Sequence, residues 1–272
     1  MTGVLTMAAE EMFGIKADPD DVEKLRAYIR EKYNRADKEI VNRVFSSGEA
    51  ANFLAVHETY FFREPVHFSL LRNLLPSYEK SGIRICSAAA ASGCEAYSIA
   101  MLIEAYNRTA EIPVAYSIDA FDVNPRVVEM ARRGIYSPRS LRDDGSVFHY
   151  MADPYIRKMG NEYQVDPSLK RNIVFFVHNL MNELPPKEYD VVFFRNAFIY
   201  FLQRSRERIL SNLIAVMKEG GILIMGVSET AGVQHPGIEA KNTQLAAGSE
   251  VFYFQKLVAW KLRPAGLVGD SA

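Results

Sequence analysis

The chain is expected to fold as an α/β protein, a doubly wound sheet preceded by a small all-helical domain. Three observations predict this. From Ile83 onward, short apolar runs alternate with helical stretches, the pattern of successive βαβ units. Two of the runs, Ile173-Val-Phe-Phe-Val177 and Val191-Val-Phe-Phe194, are nearly continuous in apolar residues, as central strands covered on both faces are. Before about residue 75 no alternating pattern occurs, and apolar residues recur at helical spacing.

The elements follow in chain order. Asp18 can cap a helix, Pro19 suits its first position, and Asp20 and Asp21 favour the positive end of its dipole. Leu25, Tyr28 and Ile29 continue at helical spacing, and Val41, Val44 and Phe45 mark a later stretch. Residues 1–76 are therefore expected to form the helical domain, with Pro76 to Gly82 as linker. Residues 83–272 form the α/β domain. Its strands are expected at Ile83–Ala88, Ala115–Asp122, Ile173–Val177, Asp190–Phe194 and Ile222–Gly226. Its helices are expected at Glu95–Asn107, Pro125–Arg133 and Arg204–Met217. Gly220-Gly221 reads as a helix stop leading into a strand. Ser137 to Arg171 breaks the alternation. It is polar, turn-rich and about 35 residues long, too long for a simple connection, and reads as an inserted subdomain.

Composition excludes several classes of function. The net charge of -1 gives no global attraction to nucleic acid or membrane. No run of about 18 apolar residues is present for a transmembrane helix. Glu10 and Glu11 stand where a secretion signal would be apolar, so a cytoplasmic protein is expected. Two cysteines, Cys86 and Cys94, cannot make a disulfide framework, and the five histidines are scattered, so no metal site is expected.

The most informative stretch is Ile83 to Ser98, IRICSAAAASGCEAYS. A strand empties into a run of small residues with one glycine, Gly93, and then Glu95 opens an apolar helix. Small residues let a ligand approach the backbone closely. A pyrophosphate-binding loop normally has three glycines. The single glycine favours a nucleoside-like ligand without phosphates, with S-adenosylmethionine as the obvious candidate.

Ligands of such folds bind beyond the carboxyl ends of the strands. Four clusters fall there: the Ala88–Glu95 turn, Asp122, Asn179-Leu180, and Arg195-Asn196 with Tyr200 five residues on. Asp122 can accept hydrogen bonds from two ribose hydroxyls; the plainer reading makes it a helix cap before Pro125. Thr59-Tyr60-Phe61-Phe62-Arg63-Glu64 adds a second signal from the helical region. The two phenylalanines read as core. Arg63 beside them calls for an acidic partner, a part the carboxylate of a bound amino-acid moiety can play.

These segments resemble the CheR-type protein-glutamate O-methyltransferases of chemotaxis receptors. ETYFFREPVHFSLL (58–71) is similar to the TxFFR motif of that family. CSAAAASGCEAYSIAM (86–101) is similar to its small-residue loop, which usually ends GEEPYS. AFDVNPRVVEMARRGIY (120–136), VFFVHNLMNELPPKEYDVVFFRNAFIYF (174–201) and EGGILIMGVSE (219–229) resemble its later segments. The resemblance spans about Leu25 to Gln255. Departures occur at Cys94, which replaces the first acid of GEE, at Ala96 for the following proline, at His57 for an asparagine, and at Phe194 for a cysteine.

The resemblance implies that Thr59, Arg63, Gly93, Glu95, Asp122, Asn179, Leu180, Arg195 and Asn196 bind S-adenosylmethionine. It places Asp122 on the ribose and Glu95 on the amino end. It puts Arg63, Arg195 and Tyr200 near the sulfonium and the incoming carboxylate, as the catalytic set. It implies a chemoreceptor cytoplasmic helical region as protein substrate, contacted by the insertion 137–171. The run Lys24 to Arg43, with seven basic residues against three acids, reads either as a solvated helix face or as a docking face for an acidic receptor.

Other readings are weaker. The segment after the fourth strand reads Arg195-Asn196-Ala197-Phe198, not the [DNS]PP[YFW] of amino-methylating nucleic-acid enzymes. Asp153-Pro154-Tyr155 is near that motif in letters but sits in the insertion and lacks a proline. Neither cysteine follows a proline, as a cytosine C5 nucleophile normally does. A carboxyl methyltransferase for small molecules, and a binding module without turnover, stay open as alternatives.

Overall fold

The computed structural model describes residues 2–35, 37–55, 58–142, 154–231, 233–245 and 248–258. His57, Asp153 and the stretch 143–153 of the expected insertion lie outside the described residues.

The N-terminal helices are α1 (Thr2–Ala8), a π-helical turn (Ala9–Phe13), α2 (Pro19–Tyr33), α3 (Lys38–Ser46) and α4 (Ala51–Leu54). Asp18 caps α2 by accepting from the Asp20 N–H at 2.9 Å, and Asp37 caps α3 from Ile40 N–H at 3.0 Å. Their buried faces form one core running from Leu5 through Leu25 and Phe45 to Leu54. Helix α5 (Pro65–Leu74) packs elsewhere. Its Phe68, Leu70 and Leu71 join the core of the sheet, so packing changes between residues 54 and 61 rather than at 76.

The sheet has seven strands: β1 (Ile83–Ala88), β2 (Tyr116–Asp122), β6 (Ile173–Val177), β7 (Tyr189–Phe194), β8 (Met217–Met225), β9 (Ile238–Gln244) and β10 (Glu250–Lys256). Their order is β6-β2-β1-β7-β8-β10-β9. The first five run parallel, and β10 is antiparallel to both neighbours. Side chains alternate between two cores. Ile85, Ile118, Val191 and Phe193 face one; Cys86, Phe121, Val192 and Phe194 face the other. Helices α5, α6 (Cys94–Asn107) and α7 (Pro125–Arg133) cover the first face, and α8 (Gln203–Ala215) covers the second. Helices on both faces are what a doubly wound sheet requires.

Two details differ from the sequence expectation. Gly220-Gly221 does not stop the helix. Helix α8 ends at Ala215, Met217 already pairs with Tyr189, and the glycines lie in β8, where the register skips to Val191–Ile222. Gly220 there has φ +72°, a conformation glycine adopts without penalty. The β9–β10 hairpin has too mixed an alternation to read from sequence. In the insertion, β5 (Glu162–Val165) pairs on one side with β4 (Ile156–Met159) and on the other with β3 (Ile135–Tyr136) in a small antiparallel sheet.

Candidate active site

The loop after β1 turns because two alanines take left-handed conformations, Ala89 at φ +56° and Ala91 at φ +47°. Such residues cost about 1–2 kcal/mol each and need fixed partners. The partners are present: the Ala90 N–H donates to the Phe121 carbonyl at 2.8 Å, and the Ala91 N–H to Asp122 Oδ2 at 3.0 Å. Gly93, at φ +85°, serves packing. A Cβ there would sit 2.8 Å from Ala131 Cβ and 2.9 Å from Phe175 Cε1. Gly93 is not on the cleft wall, unlike the other expected site residues. Cys94 also faces away, with its sulfur 4.0 Å from Ser92 Oγ, and burial pushes its thiol up to about 12.

Asp122 closes β2 and is buried. Its Oδ1 accepts from the Asn124 N–H at 2.9 Å. The helix that follows is capped by Asn124, whose side chain accepts from the Arg126 N–H, so Asp122 is not the cap. Its carboxylate holds the loop and faces the cleft at the same time.

The Thr59–Glu64 segment is bent by Phe62 (φ +54°) and Glu64 (φ +56°). Phe61 packs edge-on against Tyr136 and Phe62 against Phe68, so both are core residues. The Phe61 N–H donates to the Ser140 carbonyl and the Phe62 N–H to Ser98 Oγ, both at 2.9 Å. This presents Arg63 at the cleft. Its guanidinium donates to the Glu58 carbonyl at 2.9 Å and lies over the Tyr60 ring. No side-chain carboxylate among the described residues pairs with it, while the neighbouring Glu58 is paired with Arg142 at 2.7 Å.

Arg195, expected in the catalytic set, lines the cleft from a buried position. Its side chain is 2% exposed. It donates to Glu95 at 3.0 Å, to Glu64 at 3.2 Å and to the Arg63 carbonyl. Glu95 also accepts from Ser87 Oγ at 2.7 Å, so Ser87 and Arg195 fix its carboxylate where it lines the cleft. Asn196 takes a left-handed conformation (φ +57°). Its side chain donates to Glu64 at 2.8 Å and its backbone N–H to Glu229 at 2.6 Å. Glu229, buried, also accepts from the Gly226 and Ile199 N–H groups. Burial opposes ionisation of Glu64, but the His67 ring 3.3 Å away, the Asn196 amide and the Arg195 charge outweigh it, holding the carboxyl well below its usual range. Glu64 and Glu229 were not singled out in the sequence. Neither sits at a spacing that marks it.

Asn179 is likewise engaged. Its side-chain amide donates to the Met12 carbonyl at 2.6 Å and its oxygen accepts from the Met181 N–H at 3.0 Å. Tyr200, by contrast, is 40% exposed and its hydroxyl has no hydrogen bond among the described residues.

Thr59, Arg63, Glu95, Asp122, Asn179, Leu180, Arg195, Asn196 and Tyr200 all line one cleft, open to solvent at its mouth. The donor set fits S-adenosylmethionine: a carboxylate at a strand end for ribose hydroxyls, a small-residue loop, and an arginine without a carboxylate partner among the described residues. Among the described residues no cluster of metal-ligating side chains occurs, and no helix is long and apolar enough to cross a membrane.

Comparison with known proteins agrees. Residues 57–245 match the family model for the CheR methyltransferase SAM-binding domain. A chemotaxis protein methyltransferase of Borreliella burgdorferi is 33% identical over 193 residues, covering 67% of this chain and 67% of that protein. A probable chemotaxis protein methyltransferase of Rhizobium etli is 34% identical over 190 residues, covering 66% and 70%. A probable biofilm formation methyltransferase of Pseudomonas aeruginosa is 30% identical over 197 residues, covering 68% of this chain and 44% of that one. With this cleft at the carboxyl ends of its parallel strands, the chain belongs to the CheR methyltransferase family and is an S-adenosylmethionine-dependent methyltransferase.

Proposed function

We propose that the protein methylates glutamate side chains of a chemoreceptor-type signalling protein in the cytoplasm, giving methyl esters. The observation that carries this reading is the cleft itself. The buried Asp122 and the fixed loop lie on its walls, while Arg63 and the exposed Tyr200 face the same space without an ion pair among the described residues.

S-adenosylmethionine supplies a methyl group activated by its sulfonium. A glutamate acceptor, with a reference pKa of about 4.3, is already ionised at neutral pH, so no general base is needed. The protein's task is alignment, which can lower a barrier by roughly 7–11 kcal/mol. Charge is neutralised during transfer, so a strong clamp on the carboxylate would favour the ground state and slow the step. Arg195 is suited to a different part. Its guanidinium is engaged with Glu64, Glu95 and the Arg63 carbonyl, and it acts as a positioning residue in the cleft wall. Arg63 is free to meet the carboxylate of the amino-acid moiety. Tyr200 is free to orient the acceptor.

Incubation with S-adenosylmethionine labelled in its methyl group and with receptor cytoplasmic fragments should give base-labile label on the receptor. Label on small carboxylic acids alone would favour a small-molecule carboxyl methyltransferase, and binding without transfer would favour a module without turnover. Tyr200→Phe should leave S-adenosylhomocysteine affinity unchanged. It should lower turnover roughly tenfold, the loss of one hydrogen bond of about 1.4 kcal/mol at the transition state. Weakened affinity with normal turnover of bound substrate would remove Tyr200 from this role.

The basic run in α2 and α3 offers less free charge than its composition suggests. Lys24, Arg26, Lys32 and Arg35 are paired with Asp21, Glu23, Glu49 and Asp37. Arg30, Lys38 and Arg43 have no ion pair within 4.0 Å among the described residues and are the charges available to an acidic receptor.

A further inference from the structure

The segment Met12–Lys16 lies outside the stretch matched by the family model, yet Phe13 and Ile15 line the cleft. It is stitched to the loops that follow β6 and β7. Asn179 donates its side-chain amide to the Met12 carbonyl at 2.6 Å, and the Leu202 N–H donates to the Gly14 carbonyl at 2.8 Å. The Lys16 N–H donates to the Tyr200 carbonyl at 3.3 Å, and Ile15 forms an antiparallel bridge with Phe201. Gly14 holds φ +71°, and a Cβ there would lie 2.5 Å from Met181 Sδ and 2.8 Å from Ser205 Cβ. Only a glycine allows the strap to lie this close. Phe13 and Ile15 are also members of the helical core, so their positions are fixed from behind.

The cleft's charged groups, Arg63, Glu95 and Arg195, suit an amino-acid moiety. Phe13 and Ile15, with Leu54, Val123 and Leu180, give it an apolar wall that suits a flat heteroaromatic base. We propose that the strap Met12–Lys16 is a binding element for the adenosyl part of the ligand, with Phe13 and Ile15 as its contact residues. This rests on reading the cleft as the S-adenosylmethionine site. It also gives Asn179 a role: it holds the strap in place.

Hydrogen exchange on the full chain, with and without saturating S-adenosylhomocysteine, tests this without a mutation. The backbone amides of Lys16 and Leu202 should exchange severalfold more slowly when the ligand is bound. Calorimetric titration of Ile15→Val and Ile15→Ala should give S-adenosylhomocysteine Kd values that rise stepwise, to roughly tenfold for alanine, as apolar contact is removed. The valine variant keeps most of the buried volume and serves where alanine loosens the helical core. Tight binding with unchanged exchange at the strap, or wild-type Kd in both variants, overturns the proposal while leaving the cleft assignment standing. A wild-type protein that binds no S-adenosylhomocysteine removes the cleft assignment and the strap with it.

Discussion

Replacing Arg195 with alanine is expected to destabilise the folded chain by about 3–5 kcal/mol, the cost of breaking a buried ion pair by removing one partner. S-adenosylhomocysteine binding should be lost with it. The guanidinium is 2% exposed and sits between Glu64 and Glu95, with Phe68 beneath it at 5.6 Å. Its removal leaves two half-buried carboxylates without their cation and frees the Arg63 carbonyl. Lysine keeps the charge but cannot reach both carboxylates as a planar fork, so Arg195→Lys should recover only part of the loss. Urea denaturation followed by circular dichroism reads the effect as a fall in midpoint at constant slope. A rim residue that only touched the acceptor would leave the midpoint where it was. An unchanged midpoint with impaired turnover would therefore return Arg195 to the catalytic set.

The network around Arg195 explains why some of the site was legible in the sequence and some was not. The parallel strands were legible because each is bounded by turn residues and carries an apolar run that burial on both faces demands. β1 and β6 have the expected limits, and β2 and β7 differ by one residue. Asp122, Asn179, Arg195 and Asn196 were legible because they follow those runs directly, at the end of the sheet where ligands bind. Their detailed roles were not. Whether an arginine faces solvent or two glutamates depends on residues 100 and 131 positions away, and Glu64 and Glu95 reach Arg195 through tertiary packing alone. The strap is the same case. Phe13 and Ile15 read as ordinary helical-domain apolar residues, and nothing local marks Gly14 as the point where the chain meets Met181. The β9–β10 hairpin was missed because its residues face both core and solvent without strict alternation.

Glu64 and Glu229 tie these elements together from opposite sides. Glu64 comes from the turn before α5, and Glu229 from the turn after β8, and both bind Asn196. A Cβ at Gly226 would lie 2.6 Å from Glu229 Oε2 and 2.8 Å from Asn196 Nδ2, so the close approach of β8 to this turn needs a glycine. The left-handed Asn196 is held by both carboxylates, and the chain then runs to Tyr200 at the rim. Ionic contacts at the cleft wall thus fix this turn, with Arg195 and Asn196 sharing Glu64.

Asp122→Ala should weaken S-adenosylhomocysteine binding on the order of 100-fold, close to the loss of one or two hydrogen bonds to a charged group at about 1.5–3 kcal/mol each. Two effects add. The carboxylate no longer meets the ribose hydroxyls, and the Ala91 and Asn124 N–H groups lose their acceptor. Without that acceptor the left-handed Ala89 and Ala91 are less well determined, so the loop gives up part of the shape that admits the ligand. Asparagine separates the two effects. Its single oxygen can serve one N–H, while its amide nitrogen would face the other donor. Asp122→Asn should therefore bind between wild type and alanine, at unchanged size. Calorimetric titration gives the three Kd values, and thermal unfolding of the ligand-free variants reports the loop's own contribution. If asparagine matches wild type, the carboxylate charge is not what the ligand meets. If alanine lowers the melting temperature but not the affinity, Asp122 serves the loop alone and the ribose is held elsewhere.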